Sequence, residues 1–387
     1  MLIMLNSQRA NVPGRILMTA DSVGGVWTYA LELARGLADY GIEVQLATMG
    51  PPLAREQCEE ARQIPNLAIF KSSFKLEWME EPWRDLQEAG DWLLHLEQRL
   101  KPDVVHLNNY VHGALPWSAP KLVVGHSCVL SWWRAVKNEQ APPRWNRYRK
   151  AVGRGIRKAD FVIAPSQTMM IALDDLYGPL PARRVIWNGR SPECFARGPK
   201  EEFVLSAGRL WDDAKNLVAL TRVAPRLPWP VYIAGEEKYP GRQTTAVSPL
   251  ENVQCLGTIS SSALASWFSR ASIYASPTRY EPFGLSALEA ALAGCALVLG
   301  DIPSLREIWQ DAALFVSPDC DEAWEAVLRE TMVNGAYRTQ LARRAHHRAL
   351  QFNPQRMARA YVETYSQLLN KPQACDFAKG EQIAWVS

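Results

Sequence analysis

The chain has little from which to build a disulfide framework, a nucleic-acid surface or a membrane span. Its seven cysteines, Cys58, Cys128, Cys194, Cys255, Cys295, Cys320 and Cys375, are scattered and form no C-x-x-C pair. An odd, scattered set points to reduced thiols. A net charge of +3 over 387 residues is too small to mark a nucleic-acid binder. No apolar run has the length of a transmembrane helix. The most apolar stretch, Phe283 to Gly300, contains Glu289 and reads as a helix followed by a buried strand, Ala296 to Leu299. The apolar start, Met1 to Leu5, is interrupted by Asn6-Ser7-Gln8-Arg9 too early for a signal peptide. The expected location is therefore the cytoplasm. No sequence repeat of short period is present.

What the chain does have is alternation. Its length suits two domains. Short apolar runs alternate with amphipathic helical stretches. Strands are expected at Arg15–Thr19, Glu43–Thr48, Asp103–Leu107, Lys121–Gly125, Asp160–Ala164 and Arg184–Ile186. Helices are expected at Trp27–Asp39 and Trp83–Leu100. The pattern restarts at Glu202–Ser206 and continues through Val231–Ala234, Asn252–Leu256 and Ser272–Ala275, with helices at Asn216–Val223, Ala263–Arg270, Glu322–Asn334, Arg338–Phe352 and Met357–Leu369. Such alternation predicts an α/β chain with two doubly wound parallel sheets. Asn188-Gly189, Ser191-Pro192 and Gly198-Pro199 punctuate the join. The expected division is residues 1–195 and 196–355, with a C-terminal helix inside 356–387 packing back on the first domain. The tail after Pro372 reads as weakly ordered. Two such halves suit an enzyme that binds two substrates at the C-terminal ends of facing strands.

Residues 281–294 read Glu-Pro-Phe-Gly-Leu-Ser-Ala-Leu-Glu-Ala-Ala-Leu-Ala-Gly. Glu281 and Glu289 stand eight positions apart around a glycine turn that opens a helix. A helix start offers unpaired N–H groups and partial positive charge, a ready anion site. Pro282-Phe283-Gly284 is a stiff turn that aims those groups. Acids before and inside the helix then flank an anionic centre, the layout of a nucleotide-sugar: sugar, diphosphate, ribose. Dipole complementation, with Ser286 and Glu289 as a capping box, accounts for the same spacing without a ligand.

Other sites fit that layout. Gly24-Gly25 lies between the first strand and its helix, where paired glycines let backbone approach a ligand. The loop is not a G-x-G-x-x-G fingerprint, so no dinucleotide is indicated. Arg209 ends the first strand of the second half and Lys215 precedes the next helix. Two cations there neutralise a diphosphate leaving group without metal, although pairing with Asp212 and Asp213 is the simpler fate for Lys215. His126 follows the strand ending at Gly125, in Gly-His-Ser.

Taken in order, these segments resemble the retaining glycosyltransferases of family 4, of the GT-B fold, from about residue 15 to about 310. The 281–294 segment resembles their E-x7-E motif. Asn188-Gly189 is similar to their N-G-V turn, with Arg190 in place of the usual apolar residue. Arg209 and Lys215 are one residue further apart than in the familiar G-R-L…K-G pattern. The resemblance implies two Rossmann-like domains facing across a cleft, the N-terminal one holding the acceptor and the C-terminal one the donor. It implies metal-independent transfer of a hexose from a nucleoside-diphosphate sugar to an acceptor hydroxyl, with retention. No cofactor is implied, and a UDP- or GDP-sugar is favoured over an ADP-sugar. His126, Arg209, Lys215 and Glu281 would make the catalytic contacts. Gly24, Gly25, Phe283, Gly284, Leu285, Ser286 and Glu289 would bind the donor, with Glu289 on the ribose. The other readings are a sugar epimerase or phosphorylase on the same fold, or a nucleotide-sugar-binding protein without turnover. No sequence context supports a pyridoxal-phosphate lysine.

Residues 132–158 carry nine cations, among them Arg147, Lys150 and Arg154, against one acid, Glu139, with four interleaved aromatics. Such a segment suits an anionic membrane surface or a phosphorylated acceptor, which would put the protein at the inner face of the membrane. A solvated helix face is the plainer account. Three motifs are set aside: Asp319-Cys320-Asp321 has the form of a D-x-D metal motif but follows no sheet start, Gly153-x-Gly155 precedes no phosphate loop, and Cys128 lacks a nucleophile's surroundings.

Overall fold

The computed structural model describes residues 11–236 and 251–370. Seven parallel strands form the first sheet: β1 (Arg15–Asp21), β2 (Glu43–Met49), β3 (Leu67–Lys71), β4 (Val104–Leu107), β5 (Lys121–Val124), β6 (Phe161–Ala164) and β7 (Arg183–Val185). Six more form the second: β8 (Glu201–Ala207), β9 (Val231–Ala234), β10 (Val253–Gly257), β11 (Ala271–Ser276), β12 (Ala296–Gly300) and β13 (Leu314–Val316). The orders are β3-β2-β1-β4-β5-β6-β7 and β10-β9-β8-β11-β12-β13. Both reverse direction once, between β1 and β4 and between β8 and β11. These are the switch points where ligands bind in doubly wound sheets. The α/β GT-B fold expected from the sequence is the observed one.

Strands read as continuous apolar runs because helices cover both faces of each sheet. Ile16, Met18 and Ala20 of β1 face the helix Gly25–Ala38 and the C-terminal helix Pro354–Leu369, and Leu17 faces the opposite core with Val105 and Val123. Met357, Ala358, Tyr361 and Tyr365 of the C-terminal helix lie in the first domain's core. Tyr365 bonds buried His106 at 2.7 Å. Gly36 and Ala358 fit together so closely that a Cβ on Gly36 would lie 2.8 Å from that of Ala358. The chain leaves the first core at Ile186 and enters the second by Phe195.

Several helix starts differ from the pattern-based expectation, each for a local reason. The helix expected from Asn216 begins at Val218. Asn216 adopts φ 51° and its amide donates to the carbonyls of Pro277 and Pro318, so it pins the loop rather than the helix. The last helix starts earlier, at Pro354, capped by Asn353 with proline in the first turn. Helix Ser261–Arg270 likewise gains its first turn from the Ser260 cap. The short strands β3 and β13, at the outer ends of their orders, were not among the strands expected from the sequence. The tail beyond residue 370 lies outside the described residues.

Candidate active site

The two switch points face each other. Gly24, with φ 72°, caps the helix Gly25–Ala38. Across the cleft Gly284, with φ 92°, caps the helix Leu285–Leu292. A Cβ on Gly25 would stand 3.2 Å from Leu285 Cδ1, so the helix starts of the two domains meet here. Positive φ explains glycine at both caps.

Around Gly284 the charges are arranged as a clamp. Glu281 accepts from the Gly284 N–H at 3.1 Å through Oε1 and from Lys215 Nζ at 2.6 Å through Oε2. Ser304 donates to the Glu281 carbonyl at 2.6 Å and fixes the turn. Lys215 therefore reaches Glu281, not Asp213; that acid pairs with Lys137. Arg209 takes Asp212 at 2.6 Å and lies 4.8 Å from the centre of the Trp211 ring. Its side chain is 45% exposed, so this pair is weak enough to give way to a ligand. The capping box that the spacing allowed as an alternative does not form: Tyr274 donates to Ser286 at 2.8 Å, and the cap is Gly284. Phe283, expected to contact the donor, points into the second core against Phe352. Only its backbone is left for a ligand, because the turn needs an apolar anchor.

Glu289 is nearly buried and its Oε1 accepts from Arg190 Nε at 2.8 Å. Arg190 also reaches Glu32 of the first domain at 2.5 Å, and Ser191 donates to the same carboxylate at 2.9 Å. Burial opposes the Arg190 charge, yet Glu289 and Glu32 hold its pKa above the ordinary value. Burial likewise pushes the Glu289 carboxyl up, and Arg190 offsets part of that rise. The sequence marked Arg190 only as a departure from a turn motif. Its partners lie 99 and 158 residues away, beyond any local pattern.

His126 emerges where Gly125 lets β5 pass under Tyr110 and Leu173; a Cβ there would fall 2.8 Å from the Tyr110 hydroxyl. Asn108 donates its amide to the Thr19 carbonyl, so its oxygen accepts from His126 Nε2 at 2.8 Å. That fixes the proton on Nε2 and leaves Nδ1 as an acceptor. Burial lowers the His126 pKa to about 3, so the ring is neutral. Tyr280, next to Glu281, crosses the cleft: its hydroxyl accepts from the Cys128 N–H at 3.1 Å and bonds Ser131 at 2.8 Å. Glu307 accepts from the N–H groups of Gln167 and Thr168 at another helix start.

The set-aside motifs have structural partners. Asp319 and Asp321 pair with Arg279 and Arg222. Gly155 lets its helix touch the backbone at Tyr110, where a Cβ would come 1.8 Å from the Tyr110 carbonyl oxygen. Cys128 is buried against the Tyr177 hydroxyl, and burial raises its pKa. Among the described residues no cluster of three or more His, Cys, Asp or Glu side chains is placed to hold a metal ion. No described helix is long and apolar enough to cross a membrane.

Two facing Rossmann-like domains with glycine-capped helix starts at the cleft define a GT-B glycosyltransferase. The chain belongs to the glycosyltransferases whose N-terminal half matches Glycosyltransferase Family 4, over residues 23–193, and whose C-terminal half matches Glycosyl transferases group 1, over residues 192–348. It is 31% identical to a glycogen synthase of Mycobacterium tuberculosis, over 89% of this chain and 91% of that one. It is 30% identical to a D-inositol 3-phosphate glycosyltransferase of a Nocardioides species, over 94% and 88%. Among solved structures, the fold is similar to sucrose-phosphate synthase from Thermosynechococcus elongatus, with TM-score 0.76, 18% identity, and coverage of 92% and 98%. It is also similar to Anabaena HepE in complex with UDP and glucose, with TM-score 0.72, 16% identity, and coverage of 91% and 99%. The chain is a transferase enzyme of this family.

Proposed function

We propose that the chain transfers a hexose from a nucleoside-diphosphate sugar to an acceptor hydroxyl, with retention at the anomeric carbon and without a metal ion. The observation that carries this reading is the Lys215–Glu281 pair set at the Gly284 helix start, opposite Gly24-Gly25 and His126. The diphosphate sits on the helix N–H groups between Arg209 and Lys215. Glu281 exchanges its present partners for donor-sugar hydroxyls. Glu289 offers Oε2 to the ribose while Arg190 holds Oε1. His126 Nδ1 accepts a hydroxyl of the donor sugar.

The bond from the anomeric carbon to the diphosphate oxygen breaks, and its electron pair leaves with the diphosphate. Arg209, Lys215 and the helix start stabilise that charge, which is larger in the transition state than in the bound donor. The acceptor oxygen attacks from the same face, and its proton passes to the departing phosphate oxygen. A neutral His126 leaves this proton route open, because it adds no cation next to the developing positive charge on the sugar.

Uracil or guanine is the proposed base, in keeping with the UDP bound by the structurally similar HepE. The cationic face of the helix Asn146–Lys158, with Lys150, Arg154, Arg157 and Lys158 exposed, is proposed to rest on an anionic surface at the cytoplasmic side of a membrane. Proton NMR of the product tests the stereochemistry. An α-linked donor should give an α-linked product, and a β-linked product contradicts the reading. Transfer to acceptor also separates this activity from an epimerase, which needs no acceptor and returns a sugar of altered configuration, and from a binder without turnover.

A further inference from the structure

At the edge of the second sheet away from the donor, a groove of about 310 Å³ opens beside the helix Gly335–Ala349. That size falls in the range of small-molecule sites. The groove lies at the N-terminal ends of the strands. Lys200 and Glu202 flank the start of β8, Ser272 stands at the start of β11, and Gly294 precedes β12. Ligands of doubly wound sheets bind at the opposite ends, so the nucleotide reading does not account for this groove. The helix Leu285–Leu292 runs between the two places. Its first turn faces the donor, and the carbonyls at its other end, about 12 Å away by the helical rise, reach Lys200 and His346.

The lining is cationic. Arg197, Lys200, Arg338, Arg343 and His346 stand with one acid, Glu202. Three of the basic groups have tasks in the fold. Lys200 Nζ donates to the carbonyls of Phe268 and Ala293 at 3.0 and 2.8 Å. His346 Nδ1 donates to that of Leu292 at 3.1 Å. Both complement the negative end of the donor helix. Arg338 donates through Nη1 to the carbonyls of Thr331 and Met332 at 3.0 and 2.7 Å, and lies 4.8 Å from the centre of the Trp229 ring. Its guanidinium is thus fixed in place before any ligand arrives. Helix capping explains neither Arg197 nor Arg343. Both are exposed, and neither makes a hydrogen bond or an ion pair among the described residues. The Arg197 stem lies along Gly294, where a Cβ would meet its Cδ at 3.4 Å and Lys200 Cε at 3.6 Å. Glycine here brings the two cations side by side. Like charges gathered in one concave surface are relieved by a multivalent anion.

We propose that this groove is a second ligand site, separate from the donor cleft, and that it takes a phosphate monoester. Arg197, Arg338 and Arg343 supply planar forks that match phosphate oxygens in pairs, and Lys200 adds a point charge beside them. A monoester dianion meets several of these groups at once, which a single carboxylate does less well. The site stands independently of the glycosyl-transfer reading, because none of its residues belongs to the donor site.

Phosphorus NMR on the full chain tests this, with inorganic phosphate and glycerol 3-phosphate titrated in the presence of excess UDP or GDP. Monoester and diphosphate resonances are separate, so both sites are read in one titration. Glycerol 3-phosphate should bind saturably, with Kd about 1 mM or tighter. The double variant Arg197→Gln, Arg343→Gln removes two exposed side chains with no partner to lose, so its fold should hold. It should weaken monoester binding about 10-fold or more and leave the nucleotide titration unchanged. Phosphatidylcholine vesicles doped with phosphatidic acid tell a lipid-borne monoester from a free one. Sedimentation that the double variant reduces assigns the site to a lipid headgroup, and sedimentation that it leaves unchanged assigns it to a soluble ester. Monoester binding that UDP or GDP displaces, binding equally strong in the double variant, or no saturation below about 10 mM overturns the proposal. A chain that binds neither nucleotide refutes the donor site alone, and the double variant still decides the groove.

Discussion

Glu289 meets the cleft with one oxygen already taken. Its Oε1 belongs to Arg190, so the proposed ribose contact falls to Oε2. Replacing Glu289 with alanine should weaken binding of the bare nucleoside diphosphate by about 2 kcal/mol, the value of hydrogen bonds to a charged acceptor. Calorimetric titration measures this, and unchanged affinity would return Glu289 to a purely structural role. Arg190→Met should cost about 10-fold in the same titration, because burial then raises the carboxyl without opposition. Arg190→Lys should recover part of it by restoring the charge. Asp21 supplies a second test at this scale. Its carboxyl is raised in the folded chain to about 7 from an unfolded value near 3.8. Below the lower value both states hold the proton and folding carries no penalty. As pH rises toward the upper value only the unfolded state releases it, so stability falls through that window. Glu77 adds a fall of the same sign up to about 8. Urea unfolding across this range should show the decline, and Asp21→Asn should flatten its lower part. A stability that climbs with pH in the variant and wild type alike would contradict the burial account.

At the scale of elements, the helix Leu285–Leu292 was legible in the sequence because its signals are local. Gly284, the flanking acids and the alanine run all sit within one turn or two of each other. The hydrogen bond to Ser286 was not legible there, since its donor Tyr274 comes from the neighbouring strand β11. The inward packing of the Phe283 ring was hidden for the same reason, its partner Phe352 lying 69 positions on. Asp21 and Glu77 were not seen as a pair because they meet only when the loop before the helix Trp83–Leu100 folds over β1. The cationic helix Asn146–Lys158 was visible as composition, and the fold decides its faces. Tyr148, Val152 and Ile156 turn inward, while Lys150 and Arg154 are exposed. Arg147 lies 4.3 Å from the centre of the Trp83 ring, so part of its surface is already engaged. Charge reversal at Arg147, Lys150 and Arg154 should abolish co-sedimentation with anionic vesicles and spare nucleotide binding, each exposed cation contributing about 1 kcal/mol at low salt. Wild-type protein that ignores such vesicles would leave this face to solvent alone.

At the scale of the whole molecule, two glycine-capped helix starts are held against each other. Arg190, Tyr280, Lys137 and Glu307 all bridge the domains, each through a partner in the other domain: Glu289, Cys128, Asp213 and Gln167. The two-sheet fold could be read from alternation alone, whereas these bridges depend on how the sheets face. The central claim is that side-chain cations and backbone N–H groups neutralise the leaving diphosphate. The most direct measurement is transfer of a labelled hexose from UDP-glucose or GDP-mannose, with and without chelator, by wild type, Arg209→Ala and Lys215→Ala. Chelator should leave wild-type turnover intact, and each substitution should lower it about 100-fold, the scale of losing one transition-state charge contact. Turnover that depends on added divalent ion, or that survives both substitutions, would contradict the account.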